Sequence, residues 1–371
     1  MNKKIVIVGA GAAGIGMGVT LVELGIRDFL ILEQKEIGHS FKNWPQETRF
    51  ITPSFSSNGF GMPDLNAISV DTSPAYTLGK ERLSGKDYAE YLELVAKEYH
   101  LPIFTNSSVN HVKKVKEQYI LETDLGEIIA DYLIFAVGEY SFPKHSFAGS
   151  EHALHYSEID TWKQVTGNEQ VVIGGNESGI DAALNLAKLG KKVSVYTNTT
   201  GLTAKEADPS IRLAPITRQR FMEFKETNQG EIKVYQKVCI ANIQPNSEGY
   251  EIQTTDGRSI FSKNRPLLCT GFMNGAAILA PHLFDTTSGK FVLNAIDEST
   301  ISNNAFLIGP SVRNQGVIFC YIYKFRQRFA IIAEAIAQRE NVPINQTRLA
   351  YYKQQAFYLD DCANCTVDCQ C

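Results

Sequence analysis

Two glycine-rich turns of one design, each preceded by an apolar run, lie far apart in this chain and fix most of what it can become. The first reads Ile5-Val-Ile-Val-Gly9-Ala-Gly11-Ala-Ala-Gly14, and the second Val171-Val-Ile-Gly174-Gly-Asn176-Glu-Ser-Gly179. Each is followed much later by a matching pair of segments. Tyr119-Ile-Leu-Glu-Thr-Asp-Leu-Gly and Tyr132-Leu-Ile-Phe-Ala-Val-Gly138 follow the first; Tyr250-Glu-Ile-Gln-Thr-Thr-Asp-Gly and Arg265-Pro-Leu-Leu-Cys-Thr-Gly271 follow the second. The pattern predicts strands at Lys4–Val8 and Phe29–Leu32 around a helix at Ala13–Leu24. It predicts the same unit again at Val171–Ile173, Ser178–Leu189 and Val193–Tyr196. First strands this uniformly apolar belong to parallel sheets covered on both faces.

The first turn has the full Gly-x-Gly-x-x-Gly spacing. Its first glycine permits the tight turn, its second lets the backbone approach a pyrophosphate, and its third allows close helix–strand packing, with the helix N-terminus facing the phosphates. Glu33 stands nineteen residues beyond Gly14, where a carboxylate can take ribose hydroxyls. The second turn carries Asn176 at the middle glycine position, and a side chain there crowds a pyrophosphate unless the loop backs away. After its second strand come Thr197, Asn198, Thr199 and Thr200, with no carboxylate and no adjacent arginine. Neutral hydroxyls and amides tolerate the 2′-phosphate of NADPH, although NADH is also admitted. Two successive dinucleotide sites imply a chain that passes electrons from one to the other.

Composition removes other classes. Hydrophobic residues are 44 % and charged residues 20 % of the 371, as in an ordinary soluble protein large enough for two cores. Net charge is −4 without a basic stripe, which argues against nucleic acid. Glycines from Gly9 to Gly18 and then Glu23 make Met1–Leu24 a strand–turn–helix rather than a signal peptide. No segment has the apolar length of a membrane span, and the expected location is the cytoplasm. The oligomeric state is left open, a homodimer included. Cys239, Cys269 and Cys320 sit in apolar surroundings and read as inert core residues. Cys362, Cys365, Cys369 and Cys371 crowd the last ten residues, with Asp360 and Asp361 just before them and Asp368 among them. Such a tail can be a redox arm or can hold Zn²⁺ or another soft ion; the alternative is a terminus with merely reactive thiols.

Ser40–Asp71 and Gly201–Arg220 read as long irregular excursions, which in compact domains are usually functional. Asp87–Tyr99 has helical spacing, Ala305–Gly309 reads as a short strand, and Gly316–Glu340 reads as a long helix. A helix N-terminus near Asn314–Gly316 would present positive partial charge to a bound group. The expected domains are 1–144 with 271–359, an inserted 145–270, and the tail 360–371.

With these residues in view, the chain up to about Glu340 resembles the flavoproteins with two dinucleotide-binding domains. The resemblance implies an α/β fold of two Rossmann-like domains, an FAD domain with an inserted NAD(P)H domain, each with a parallel central sheet and a small antiparallel β-meander. Phe135-Ala136-Val137-Gly138 and Leu268-Cys-Thr-Gly271 are similar to the superfamily's two returning strand ends. Ala305–Gly309 is similar to its last flavin-contacting strand, with Pro310 where an Asp is usual. Within the superfamily, four stretches resemble the flavin-containing monooxygenases and the CzcO-like bacterial oxidoreductases. They are Gly38-His-Ser-Phe-Lys-Asn-Trp44-Pro45, Ser57-Asn58-Gly-Phe-Gly-Met-Pro63-Asp64, Asp87-Tyr-Ala-Glu-Tyr91-Leu, and Phe147-Ala-Gly149 with His155-Tyr-Ser-Glu.

That resemblance implies FAD at Gly9, Gly11, Ala13, Gly14, Glu33, Gln34, Ser40, Phe41, Trp44, Val109, Ala136, Val137, Gly138, Gly309, Pro310 and Gln315. It implies NADPH at Gly174, Asn176, Glu177, Ser178, Gly179, Thr197 and Gly271. Asn58 becomes the candidate catalytic residue, an amide that stabilises an oxygen adduct of the flavin without titrating; as Ser57-Asn58-Gly59 it is equally a simple turn. The leading expectation is therefore a monooxygenase in which NADPH reduces FAD and O₂ then oxygenates a small organic substrate. The rival is a reductase of low-molecular-weight disulfides, because Ile173-Gly-Gly-Asn-Glu-Ser-Gly179 also resembles the NADPH turn of such enzymes. Against the rival, no cysteine pair lies near the first turn or after Tyr196. A third possibility is a flavin-based redox or metal sensor using the tail.

Overall fold

The computed structural model describes residues 1–55, 63–199, 201–205, 211–227 and 230–361. The described chain divides into two compact units. One is built from Met1–Lys42, Thr52–Glu139 and the chain from Asn274 onward; the other from Asn43–Ile51 and Tyr140–Met273.

In the first unit, β1 (Asn2–Val8) leads through the glycine turn into α1 (Ala12–Leu24) and β2 (Phe29–Leu32). Ile5, Val6 and Ile7 have no solvent exposure, because both faces of this strand are covered. α1 is apolar nearly all round and is buried accordingly. It stops at Gly25, whose left-handed backbone (φ 91°) returns its N–H to the carbonyls of Leu21 and Val22. Short α2 (His39–Lys42) and α3 (Pro74–Leu78) precede α4 (Gly85–Glu98). α4 opens on a capping box between Ser84 and Asp87. Strands β3 (Ile103–Phe104), β4 (Val109–Val115), β5 (Gln118–Thr123) and β6 (Gly126–Phe135) complete the first half. The sheet order is β3-β2-β1-β6-β5-β4, parallel across β3-β2-β1-β6 and antiparallel in the β4–β6 meander.

The second unit repeats the plan. Its sheet contains β7 (Leu154–His155), β8 (Glu169–Ile173), β9 (Lys192–Thr197) and β10 (Glu231–Gln236). Between them lie α5 (Glu177–Lys188) and α6 (Pro215–Thr227). A meander β11 (Ile240–Pro245), β12 (Tyr250–Thr254), β13 (Ser259–Ser262) then leads to β14 (Leu267–Leu268). The order β10-β9-β8-β14-β7 is parallel throughout. Trp162, Phe221, Leu184 and Val195 belong to the core around α5.

The chain then returns to the first unit with α7 (Gly275–Leu279) and β15 (Ala305–Leu307), which pairs parallel with β6. The expected helix from Gly316 is corrected here. Arg313–Asn314 (β16) and Val317–Ile318 (β17) form a hairpin across Gln315 (φ 48°) and Gly316 (φ 83°). Two successive left-handed residues suit a two-residue hairpin turn and cannot start a helix. Helix begins only at α8 (Ile322–Phe325), passes through a 3₁₀ turn at Arg326–Arg328, and continues as α9 (Phe329–Glu340). α10 (Gln346–Gln354) follows. No helix among the described residues is long and apolar enough to cross a membrane.

Arg326-Gln327-Arg328 ties distant segments together. Arg326 donates to the carbonyls of Asp64 (2.5 Å) and Ala67 (2.6 Å), and its guanidinium lies 4.1 Å from the centre of the Phe357 ring. Arg328 pairs with Asp297, donates to the carbonyls of Ala295 and Leu359, and sits beside Asn314 through the shared Asp297 carboxylate. The main chain at Gln327 accepts the N–H of Leu359.

Candidate functional site

The first glycine turn is defined by what packs behind it and what does not stand in front. A Cβ at Gly14 would collide with the carbonyl of Gly9, and one at Gly9 would lie 2.5 Å from the carbonyl of Ala136. At Gly11 a Cβ would meet nothing within 4 Å. Gly11 is also the N-cap of α1, has no side-chain cap bond, and no acid occupies the first helical turn. The mouth of the helix thus keeps open space and unpaired N–H groups, the requirement for a pyrophosphate. Glu33 is buried at the end of β2; one oxygen accepts Ala10 N–H (2.8 Å) and the other Lys35 N–H (2.9 Å). Each carboxylate oxygen has a second lone pair left for a ribose hydroxyl. Ser107 N–H reaches the Glu33 carbonyl, which brings the start of β4 and Val109 alongside; Gln34 is exposed.

Other expected residues gather round this turn. Gly38 donates its N–H to Ala10 O, and its backbone lies against Ala89 of α4. Ser40 and Phe41 follow on α2, with Phe41 edge-on to Tyr88 at 4.8 Å. Ala136 lies directly beneath the turn, and Gly138 O accepts Gly275 N–H. At Gly309 (φ 102°) a Cβ would come 3.6 Å from that of Ala13, so the Gly309-Pro310 corner stands at the start of α1. Ser311 donates to Glu139, joining this corner to the end of β6. Gln315 is in the hairpin turn. Trp44 belongs to the other unit, where it packs against Phe50 at 4.9 Å. Asn58 and the cysteines of the tail lie outside the described residues.

Sequence reasoning missed Asn66, which has no solvent exposure and ties together Thr52 and Ser54. Its amide donates to Thr52 O (3.0 Å) and Ser54 Oγ (2.8 Å), and it accepts from Thr52 Oγ1 (2.8 Å). Only its complete burial marks it out, and one asparagine in a polar loop gives no signal of that.

At the second turn Gly174 and Gly179 repeat the tight contacts, here against the carbonyl of Cys269 and that of Gly174. The Asn176 side chain turns back towards β9, where Oδ1 accepts the Thr199 hydroxyl at 3.0 Å. Thr199 in turn sits 2.9 Å from Thr197 Oγ1. Glu177 begins α5, as Ser178 and Gly179 continue it, but its carboxylate serves another helix. It accepts Ala214 N–H and the Thr217 hydroxyl (2.6 Å), and so caps the start of α6; burial raises its pKa. Gly271 (φ 83°) accepts from Nε2 of the buried His155 at 3.1 Å, and Ser157 donates its N–H to His155 Nδ1 at 3.2 Å, which makes His155 the neutral Nε2–H tautomer. Burial lowers the pKa of His155, favouring that neutral form.

The three described cysteines are far from forming a redox pair in sequence, and one expectation for them fails. Cys269 is buried with its thiol pKa pushed far up by burial, and Cys320 is partly buried, but Cys239 is exposed. It follows β10 at a chain corner, where apolar neighbours in sequence do not become neighbours in space. Among the described residues no group of three or more His, Cys, Asp or Glu could hold a metal ion.

A protein family described as pyridine nucleotide-disulphide oxidoreductase matches residues 6–309. Bacilliredoxin reductase Bdr of Bacillus subtilis is 24 % identical over 92 % of this chain and 99 % of its own length. A solved bacillithiol disulfide reductase Bdr (YpdA) from Staphylococcus aureus superposes with a TM-score of 0.72 at 20 % identity, covering 92 % of this chain and 99 % of that one. A flavin-containing monooxygenase from Stenotrophomonas maltophilia reaches 0.68 at 16 % identity, with 91 % and 99 % covered. The shared fold explains why both classes were legible in the glycine turns. The end-to-end match to a disulfide reductase overturns the expectation of a monooxygenase, which had rested on short loop motifs. The chain belongs to the pyridine nucleotide-disulphide oxidoreductase family and is a flavoprotein oxidoreductase working with FAD and NAD(P)H.

Proposed function

We propose that this chain is an NADPH-dependent reductase of low-molecular-weight thiol disulfides. The observation that carries the reading is the likeness to the Bacillus subtilis bacilliredoxin reductase over almost the whole of both chains. NADPH supplies a hydride, the substrate S–S bond accepts its two electrons and breaks, and one proton from solvent completes two thiols. FAD, when bound, relays the electron pair between the two. The residues that would hold it are the Gly9-Ala-Gly11 turn, Ala13, Gly14 and Glu33, with Ser40, Phe41, Val109, Ala136–Gly138, Gly309, Pro310 and Gln315 around them. The fit rests on the open space before Gly11 and the uncapped start of α1. NADPH is assigned to Gly174–Gly179, Thr197 and Gly271, and its preference over NADH rests on the absence of a carboxylate after β9.

The test is anaerobic turnover with NADPH on bacillithiol disulfide, glutathione disulfide, coenzyme A disulfide and cystine, counting thiols released. Two thiols per NADPH with one of these substrates supports the reading. Oxidation of NADPH only in the presence of O₂, or only with a protein disulfide as acceptor, sinks it. A chain ending at Asp361 tests whether Cys362, Cys365, Cys369 and Cys371 take part.

A further inference from the structure

We propose that Glu139, clamped by Ser311, holds the ribityl chain of the flavin, so that a carboxylate beyond β6 serves where Pro310 leaves none beyond β15. The inference rests on the reading of the first glycine turn as the FAD site. Leu32, Val8, Phe135 and Leu307 stand level with one another at the carboxyl ends of β2, β1, β6 and β15, in that order across the sheet. In open parallel sheets the ligand lies in the crevice outside such ends. The pyrophosphate belongs at the mouth of α1, directly after β1, and Glu33 stands to one side of it, directly after β2. With the adenine-side ribose on Glu33, the flavin half of the dinucleotide must leave in the other direction, over β6 and β15.

The first part of that half is a polyol, which calls for hydrogen-bonding side chains. Beyond β6 the chain reads Ala136-Val-Gly-Glu139, and beyond β15 it reads Ile308-Gly-Pro-Ser311. Only the last residue of each stretch has a polar side chain, and Pro310 also lacks a main-chain N–H. These two residues meet. The Ser311 hydroxyl donates to Glu139 Oε1 and so bridges the two strand ends, which leaves Oε2 for a ligand hydroxyl. Both residues are partly exposed.

The segments that carry the pair already pack against the glycine turn. A Cβ at Gly9 would lie 2.5 Å from the carbonyl of Ala136, three residues before Glu139. A Cβ at Gly309, two residues before Ser311, would lie 3.6 Å from that of Ala13. A carboxylate with one oxygen fixed by a serine can accept a hydroxyl on the other without being reordered, and the charge strengthens the bond. Glu33 and Glu139 thus flank the pyrophosphate position, one for each sugar chain of the dinucleotide.

The experiment is reconstitution of the full-length apoprotein with FAD, followed by flavin fluorescence, with ADP as competitor. ADP carries the adenine-side ribose and the pyrophosphate but no ribityl chain, and competition against FAD confines its reading to the first unit. Glu139→Ala should weaken FAD roughly ten- to a hundredfold and leave the competition constant of ADP unchanged. Glu139→Gln keeps the size and loses the charge; it should lose a smaller part of the FAD affinity, and it covers the case in which alanine is not tolerated. Adding Pro310→Asp to Glu139→Ala should recover affinity for FAD, which a purely structural role for Glu139 would not allow. Glu33→Gln should weaken both ligands. Unchanged FAD affinity in whichever Glu139 variant folds, equal weakening of FAD and ADP, or no recovery with Pro310→Asp overturns the proposal. Failure of the wild-type chain to bind FAD removes the FAD assignment with it. No disulfide is present in these titrations, so the reductase reading stands or falls separately.

Discussion

Arg328 Nε donates to Asp297 Oδ2 at 2.7 Å, and both side chains are at most 2 % exposed. The same guanidinium also holds the Leu359 carbonyl, tying the pair to the segment after α10. Arg328→Ala should lower stability by about 3–5 kcal/mol, since it strands a buried carboxylate. Thermal melting of the holoprotein measures it. Asp297→Asn should cost less, as the amide still accepts from the guanidinium; an equal loss would show that charge is not the issue.

Gly11→Ala separates folding from cofactor binding. Its backbone is ordinary (φ −83°) and a Cβ there meets no atom, so the apoprotein should keep its stability within about 0.5 kcal/mol. The new methyl would stand where a pyrophosphate must approach. Flavin absorbance after reconstitution should be lost while the melting curve of the apoprotein is unchanged.

Glu177 gives a pH dependence of known sign. Its carboxyl pKa is raised above the ordinary 4.5, chiefly by burial, with the hydrogen bonds from Thr217 and Ala214 opposing. The folded state therefore holds the proton more tightly than the unfolded chain. That stabilising contribution is complete below about pH 4.5 and is lost as pH rises through the raised value. Thermal midpoints measured upward from pH 4.5 should fall in the wild-type chain. In Glu177→Gln this component of the slope should vanish.

Asn66 donates twice and accepts once, which only an amide can do. Asn66→Ala should cost about 1–3 kcal/mol for polar groups left unpaired in the interior. Asn66→Asp should be no better than Ala, because a carboxylate cannot donate to Thr52 O or Ser54 Oγ. Chemical denaturation of the three proteins orders them, and a stable Asp variant would contradict this account.

The two βαβ units were legible because their signals are local: an apolar strand, a turn that admits only glycine, and a helix. The observed Phe29–Leu32 and the helices beginning at Ala12 and Glu177 match the expected spans to within one residue. What escaped depends on parts of the chain meeting in space. The hairpin at Gln315-Gly316 was hidden because apolar residues on both sides continue a helical rhythm. The capping of α6 by Glu177 was hidden because Ala214 and Thr217 lie 37 and 40 residues further along the chain. The choice between oxygen and disulfide chemistry was misjudged for a related reason. The motifs compared were short, whereas the match that overturned them runs the length of the chain.

The contacts of Arg326 with Asp64 and Ala67 have a consequence for how the protein is made. Asp64 precedes Arg326 by 262 residues, and β15 reaches β6 only after the whole second unit has been synthesised. A chain emerging from the ribosome can close most of Tyr140–Met273 on itself while the first unit still lacks its last sheet strand and its arginine ties. Entry of the flavin into a finished pocket is thus an event of the completed polypeptide. A nascent chain stalled before Arg326 should expose the apolar face of α1 to chaperones even though every residue of its glycine turn is already present.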